Sequence, residues 1–122
     1  MKKTLFTLLL LLTTLGVCEE VTRYYFVNSW ADNDSKNYYV TDVQIIQKSS
    51  FGYADRVGII NQFRDQLVLE YGKGHGDKSF GHEYVLVYTN ENECIKDRKR
   101  TVAEKIKAGF NIIKLEKFEY VP

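Results

Sequence analysis

The amino-acid sequence predicts an α+β fold: a two-layer sandwich with two helices on one face of a four-stranded mixed sheet. Three features lead to this class, namely aromatic and β-branched residues with a period of two, two amphipathic segments, and a short apolar run after each of them. The predicted order of elements is β-β-α-β-α-β. We expect an N-terminal antiparallel hairpin followed by a right-handed β-α-β unit.

The chain of 122 residues begins like a bacterial secretory signal. Two lysines precede an uncharged run from Thr4 to Val17, which is several residues short of the roughly 20 that a membrane-spanning helix needs. We therefore expect residues 1–18 to be a cleaved signal peptide and residues 19–122 to be a single small domain. The expected location is periplasmic or secreted, with no transmembrane segment in the mature chain.

Cysteine usage leaves one alternative for this location. Leu15 to Cys18 resembles the bacterial lipobox, so the alternative is a lipoprotein anchored at Cys18, although Val17 stands where that motif has a small residue. Removal or acylation of Cys18 leaves Cys94 without a partner. The sequence therefore predicts no disulfide within the domain.

The charge balance narrows the classes of partner. The chain carries 17 basic and 16 acidic residues, and loss of Lys2 and Lys3 with the leader brings the net charge to −1. A near-neutral domain has no electrostatic footprint for nucleic acid. We expect a monomer without a cofactor, whose partner is a protein or an envelope glycan.

The predicted hairpin consists of strands at 23–30 and 37–48, joined by a polar turn at 31–36 that reads as solvated rather than calcium-binding. Tyr24, Phe26 and Trp30 alternate with Tyr25 and Val27. In the second strand, Tyr39, Val43 and Ile45 are expected on one face, and Tyr38, Val40 and Ile46 on the other. Rings on both faces exceed what a two-layer core buries, so some hairpin tyrosines should remain exposed.

The first helix is predicted from Tyr53 to Tyr71. Its apolar residues recur every three or four positions, at Tyr53, Val57, Ile60, Phe63, Leu67 and Tyr71. Gly58 lies inside this helix and costs about 1 kcal/mol relative to alanine. Gly72 stands where a helix terminator is usual.

The second half of the domain continues with a strand at 83–88, a helix capped by Asn90 and Glu93, and a last strand at 111–120. Ala108 and Gly109 close the helix. This strand-helix-strand, with Lys107-Ala108-Gly109-Phe110 at the helix end, resembles the second half of SPOR-type domains. The resemblance implies peptidoglycan binding, while the β-β start departs from the order of that family.

The glycine-rich stretch from Tyr71 to Tyr84 contains the candidate metal ligands His75, Asp77, His82 and Glu83. Two imidazoles and a carboxylate suffice for zinc, which gives one alternative function, a small secreted metal-dependent hydrolase that uses His75 and His82. Glycines among these positions favour a soluble loop over a rigid site. We therefore assign no metal, catalytic or cofactor-binding residue.

Two features of the second helix have ordinary structural interpretations. Cys94 lies in its first turn, where the helix dipole favours a thiolate, but a small buried apolar side chain is the commoner role. The basic cluster Ile95 to Arg100 is typical of a solvated helix face.

The sequence therefore favours a small exported protein that is a non-catalytic binding module. Its expected contact surface is the aromatic hairpin with Tyr24, Tyr25, Tyr38 and Tyr39, because exposed planar rings bury a large area at low entropic cost. An envelope glycan-binding module is the alternative within this class.

Overall fold

The structure of the protein, a computed structural model, describes residues 20–30, 36–71 and 82–122. The elements are β1 (Val21–Trp30), β2 (Asn37–Thr41), β3 (Gln44–Lys48), α1 (Tyr53–Tyr71), β4 (His82–Tyr88), α2 (Glu91–Lys107) and β5 (Asn111–Leu115). The predicted α+β class, the mixed sheet and the two helices are confirmed. Neither helix combines, within the part of the chain described, the length and apolar character needed to cross a bilayer.

The sheet is built around β1. One edge of β1 pairs with β4, and the other edge pairs with β3 at its start and with β2 at its end, all antiparallel. β5 then adds to β2 in parallel. The sheet has five strands but four positions across it, because β2 and β3 are consecutive pieces of the single strand predicted at 37–48.

A β-bulge separates β2 from β3. Val40 pairs with Asn28 and Gln44 pairs with Tyr25, so four steps along one strand oppose three steps along β1. The extra residue reverses the alternation of faces. Val43 consequently packs with Tyr38 and Val40, whereas Ile46 joins the core that contains Tyr39. The predicted faces are wrong beyond Thr41, and Ile45 is exposed.

The two helices pack on opposite faces of the sheet. Tyr25 and Val27 of β1 belong to the core formed by α1 through Ile59, Phe63 and Leu67. Phe26, which alternates with them, belongs to a second core that contains Cys94 of α2. The prediction that both helices lie on one face is therefore wrong, and the sheet has a helix layer on each side.

The strand order explains this arrangement. α1 connects β3 to β4 and α2 connects β4 to β5, and both connections join strands that run in the same direction. The first connection crosses the sheet one way and the second crosses it back. Two right-handed crossovers in opposite directions have to lie on opposite faces. The strands of the predicted β-α-β unit are parallel, but β1 and β2 lie between them.

Helix α1 has the predicted bounds but a narrower buried face. Its buried residues are Asp55, Ile59, Phe63 and Leu67, at a strict spacing of four. Tyr53 is 82% exposed and Val57 is 36% exposed, so these two predicted core residues face away from the sheet. Ile59 takes the buried position that the pattern gave to Ile60.

Helix α2 begins and ends as the sequence predicts. The Asn90 side-chain oxygen accepts a hydrogen bond from the Glu93 amide at 3.1 Å, which satisfies one free amide of the first turn. Gly109 adopts a φ of 87°, and its amide donates to the Ile106 carbonyl. This left-handed residue ends the helix and turns the chain into β5.

The last strand is shorter than predicted. β5 ends at Leu115, and the residues that follow cross to α1. Leu115 and Phe118 are both buried in the α1 core at a spacing of three, which a strand does not provide. Val121 pairs with Gln62 of α1 through two hydrogen bonds, at 2.6 and 2.9 Å. The C-terminal segment is therefore part of the α1 layer.

Candidate functional site

Most of the hairpin tyrosines belong to the core. Tyr25, Tyr38 and Tyr39 are at most 2% exposed, because a helix covers each face of the sheet. Burial raises the pKa of Tyr38 to about 12, against the lowering effect of its hydrogen bond with Asn28. The predicted contact surface is wrong for these three rings, and only Tyr24 of the four is half-buried.

A different aromatic pair reaches the surface on the α2 face. Trp30 ends β1 and is half-buried, and Tyr84 of β4 is 48% exposed. Tyr84 pairs with Asn28 across the strands, which puts it diagonally opposite Trp30 on the same face. The ring centroids of Trp30 and Tyr84 are 5.3 Å apart and the rings are tilted by 32°.

A cavity of about 310 Å³ opens beside this pair. We call it the Trp30 cleft, and it lies between β1, β4 and α2. Its lining is predominantly apolar and consists of Asn28, Trp30, Tyr84, Val85, Leu86 and Thr101. The volume is at the lower end of the range for small-ligand sites, which have apolar walls and few polar groups.

Asn28 brings an unusual polar group to the Trp30 cleft. Its side chain is buried, and its Nδ2 donates to the Tyr38 hydroxyl at 2.7 Å. Its Oδ1 is shielded from solvent and has no hydrogen-bond partner among the described residues. Turning the amide over would exchange the two atoms and still leave one of them unpaired. A buried polar atom without a partner costs about 1–3 kcal/mol and is rare in folded proteins.

Lys105 of α2 contacts Trp30 next to the cleft, although it is not part of the cleft lining. Its Nζ lies over the Trp30 ring, 3.6 Å from the centroid, and is also 4.8 Å from the Phe110 centroid and 5.6 Å from that of Tyr38. Lys105 follows Thr101 by one helical turn. The cleft and the ammonium group therefore share Trp30 as a common wall.

The predicted metal ligands are only partly within the described residues. His75 and Asp77 lie outside them, and the backbone of His82 begins β4 opposite Trp30. Glu83 forms two hydrogen bonds with Arg64, both at 3.0 Å, so its two oxygens are already engaged. No group of three potential ligands comes together at 20–30, 36–71 and 82–122. Metal analysis of the dialysed full-length protein tests the hydrolase hypothesis.

Cys94 is completely buried and forms no disulfide within residues 20–30, 36–71 and 82–122. Burial, with a smaller contribution from the nearby Asp97 carboxylate, raises the pKa of its thiol to about 11. The group is thus a protonated thiol at neutral pH, as expected for a small apolar side chain in the core.

The basic cluster of α2 is partly used within the fold. Arg98 donates from its Nε to the Thr41 carbonyl at 2.7 Å and contacts Asp42 at 3.4 Å, both at the β-bulge. Arg100 pairs with Asp97 one turn away on the same helix. Both guanidinium groups therefore already have acceptors in the protein.

One residue in the sequence points to the Trp30 cleft, although the period-two pattern of β1 does not explain it. Asn28 stands on the apolar face of β1 between Phe26 and Trp30, where a polar residue needs a reason. The neighbourhood of Tyr84 and Thr101 depends on the pairing of β4 with β1, which no local pattern predicts.

Comparisons with known proteins give no relative that could identify the site. No protein family matches this sequence, no curated protein is significantly similar to it, and no solved structure matches the fold.

Proposed function

We propose that this protein is an exported, non-catalytic binding module whose ligand occupies the Trp30 cleft. The leader-like sequence at residues 1–18 supports export. The observation that carries the binding function is the cleft itself, an apolar cavity walled by Trp30 and the half-exposed Tyr84.

Asn28 at this cleft supports the same conclusion. An unpaired buried oxygen is a cost to the folded state that a ligand with a hydrogen-bond donor can relieve. Because this oxygen is shielded from solvent, a ligand reaches it only when a lining side chain turns aside. Binding should therefore come with a small rearrangement around Trp30.

A glycan is a second candidate for the ligand. Trp30 and Tyr84 present adjacent rings on one face, and such rings stack on the apolar faces of sugars. The amide of Asn28 supplies the kind of polar group that orients a hydroxyl. This candidate agrees with an exported protein that meets envelope glycans.

Tryptophan fluorescence tests the proposed site directly, since Trp30 is the only tryptophan of the chain. A panel of neutral sugars, amines and carboxylates is titrated into the mature protein. A ligand of the cleft should give a saturable change, and Tyr84→Ala should weaken it by about fivefold.

Tyr53→Ala is the matched control, because Tyr53 is an exposed tyrosine on α1, on the opposite face of the sheet. It should leave the affinity unchanged. Equal effects of the two substitutions, or no saturable ligand of any class, would contradict the proposal. Fractionation of cells that express the full-length chain, with the intact mass of the product, tests export and the state of Cys18.

A further inference from the structure

We propose that the Trp30 cleft recognises an alkylammonium group, which replaces Lys105 on the Trp30 ring. This inference rests on the proposed binding function and names the chemistry of the ligand. The protein already holds one such group beside the cleft: the ammonium of Lys105 lies near three rings.

The arrangement of rings is the one that binds organic cations. Three centroids lie within 5.6 Å of the Lys105 Nζ, and the nearest, that of Trp30, is 3.6 Å away. Aromatic faces carry negative partial charge, tryptophan most of all, and groups of rings recognise quaternary and primary ammonium ions. Tyr84, 5.3 Å from Trp30, extends this surface toward the cavity.

The remaining lining of the cleft also favours a positively charged ligand. The unpaired Asn28 Oδ1 is the negative end of an amide dipole, and it can accept a hydrogen bond but cannot donate one. In this orientation of the amide, an N–H of a primary ammonium can donate to Oδ1 and a carboxylate cannot, whereas a quaternary ammonium is held by the rings alone. The walls around the cavity are otherwise apolar, so an ammonium with an alkyl body fits better than a strongly hydrated small cation.

Lys105 acts in this interpretation as an internal competitor. It is half-buried on α2, one turn beyond Thr101, and a change of its side-chain rotamer would take its ammonium off the Trp30 ring. The fraction of molecules with Lys105 turned away then sets the apparent affinity for an external cation. Removing the charge of Lys105 should therefore strengthen binding.

The experiment measures Trp30 fluorescence during titration with tetramethylammonium and n-butylammonium at constant ionic strength. The uncharged comparison is 3,3-dimethylbutan-1-ol, which has a similar shape to a quaternary ammonium. We expect saturation by the cations, with an affinity about tenfold higher in Lys105→Met. Lys107→Met, an exposed charge change on the same helix, should leave the affinity unchanged.

Each outcome decides between alternatives. Equal binding of the uncharged alcohol, or cation binding that Lys105→Met does not strengthen, would overturn the ammonium assignment while leaving the cleft as a binding site. Failure of every class of probe would instead overturn the proposed function. If Lys105→Met is unstable by thermal melting, Lys105→Gln and the loss of cation binding in Tyr84→Ala provide the same test.

Two further titrations distinguish the source of the group. Choline represents a free small molecule, and a short peptide with one central lysine represents a protein partner. A lower Kd for the peptide than for n-butylammonium would assign the cleft to protein recognition, and a lower Kd for choline would assign it to a small ligand. Either result supports the inference, since both carry the proposed group.

Discussion

Gly58 of α1 lies directly against Tyr120 of the C-terminal segment. A Cβ atom added at position 58 would come within 2.8 Å of the Tyr120 hydroxyl oxygen and 3.1 Å of its ring. The glycine, which costs about 1 kcal/mol in a helix, is therefore required by the close approach of this ring. The Tyr120 hydroxyl in turn donates to Asp55 at 3.3 Å.

This contact predicts that the effect of Gly58→Ala on stability changes sign when Tyr120 is replaced. In the native background the added methyl group displaces Tyr120, and we expect a net loss of stability. In a Tyr120→Ala background the same change should stabilise by about 1 kcal/mol, through helix propensity alone. Urea unfolding of the four proteins measures the coupling. Gly52→Ala, which meets no atom within 4 Å, should show no dependence on Tyr120.

Asp55 joins three parts of the α1 layer. It accepts hydrogen bonds from Lys48 at 2.5 Å, from the Gly52 amide at 3.2 Å and from Tyr120. Asp55→Asn should lower the free energy of unfolding by about 1–3 kcal/mol, since it weakens a buried group of hydrogen bonds. Asp65→Asn, an exposed change on the same helix, is the control and should have little effect.

The stabilisation by Asp55 should depend on pH in a defined direction. The hydrogen bond from Lys48, followed by that from the Gly52 amide, lowers the pKa of Asp55 below its usual 3.8, although burial opposes the shift. A carboxyl with a depressed folded pKa contributes fully above its unfolded pKa and loses this contribution as the pH falls through the folded value. The stability difference between native protein and Asp55→Asn should be constant near neutrality and shrink below about pH 4. A difference that grows with acid would contradict this assignment.

Thr41 satisfies the backbone at the β-bulge. Its Oγ1 accepts a hydrogen bond from the Val27 amide at 2.9 Å, and both residues are completely buried. Thr41→Val keeps the volume but leaves the Val27 amide unpaired, with an expected loss of about 1–3 kcal/mol. Thr41→Ser keeps the hydroxyl and should cost less, about 0.8 kcal/mol for the missing methyl group. Chemical denaturation of the two variants tests this order, and the reverse order would exclude the role of the hydroxyl.

Cys94 should be unreactive in the folded protein. Its thiol is buried, and its pKa is raised to about 11, so little thiolate forms at pH 8. Iodoacetamide should modify Cys94 rapidly in urea and much more slowly under native conditions, as measured by intact mass. Rapid native alkylation would show that the first turn of α2 opens easily.

The local features of the fold could be predicted from the sequence, and the long-range ones could not. The hairpin alternation in β1, the bounds of α1 and the Asn90 cap depend on neighbours within a few positions. The bulge after Thr41 has no marker such as glycine, so the reversal of faces at Val43 was beyond a period-two pattern.

The placement of the helices depends on strand pairings that no local pattern predicts. Adjacent β4 and β5 would have allowed both helices on one face, but Val85 pairs with Val27 and Tyr39 pairs with Ile113. The candidate site also depends on long-range pairing, because Tyr84 lies beside Trp30 only through the pairing of β4 with β1. Long-range pairing therefore decided both the layers and the cleft.

The central position of the N-terminal hairpin has a consequence for how the chain folds. β1 and β2, the first of the described strands to be synthesised, lie inside the sheet. The outer edge of β2 stays unpaired until β5 is made, because Asn37 pairs with Asn111. Contacts between such distant segments make folding slow. Under the export proposed above, a slowly folding chain would reach a translocation channel while it is still extended, which is the state that such a channel accepts.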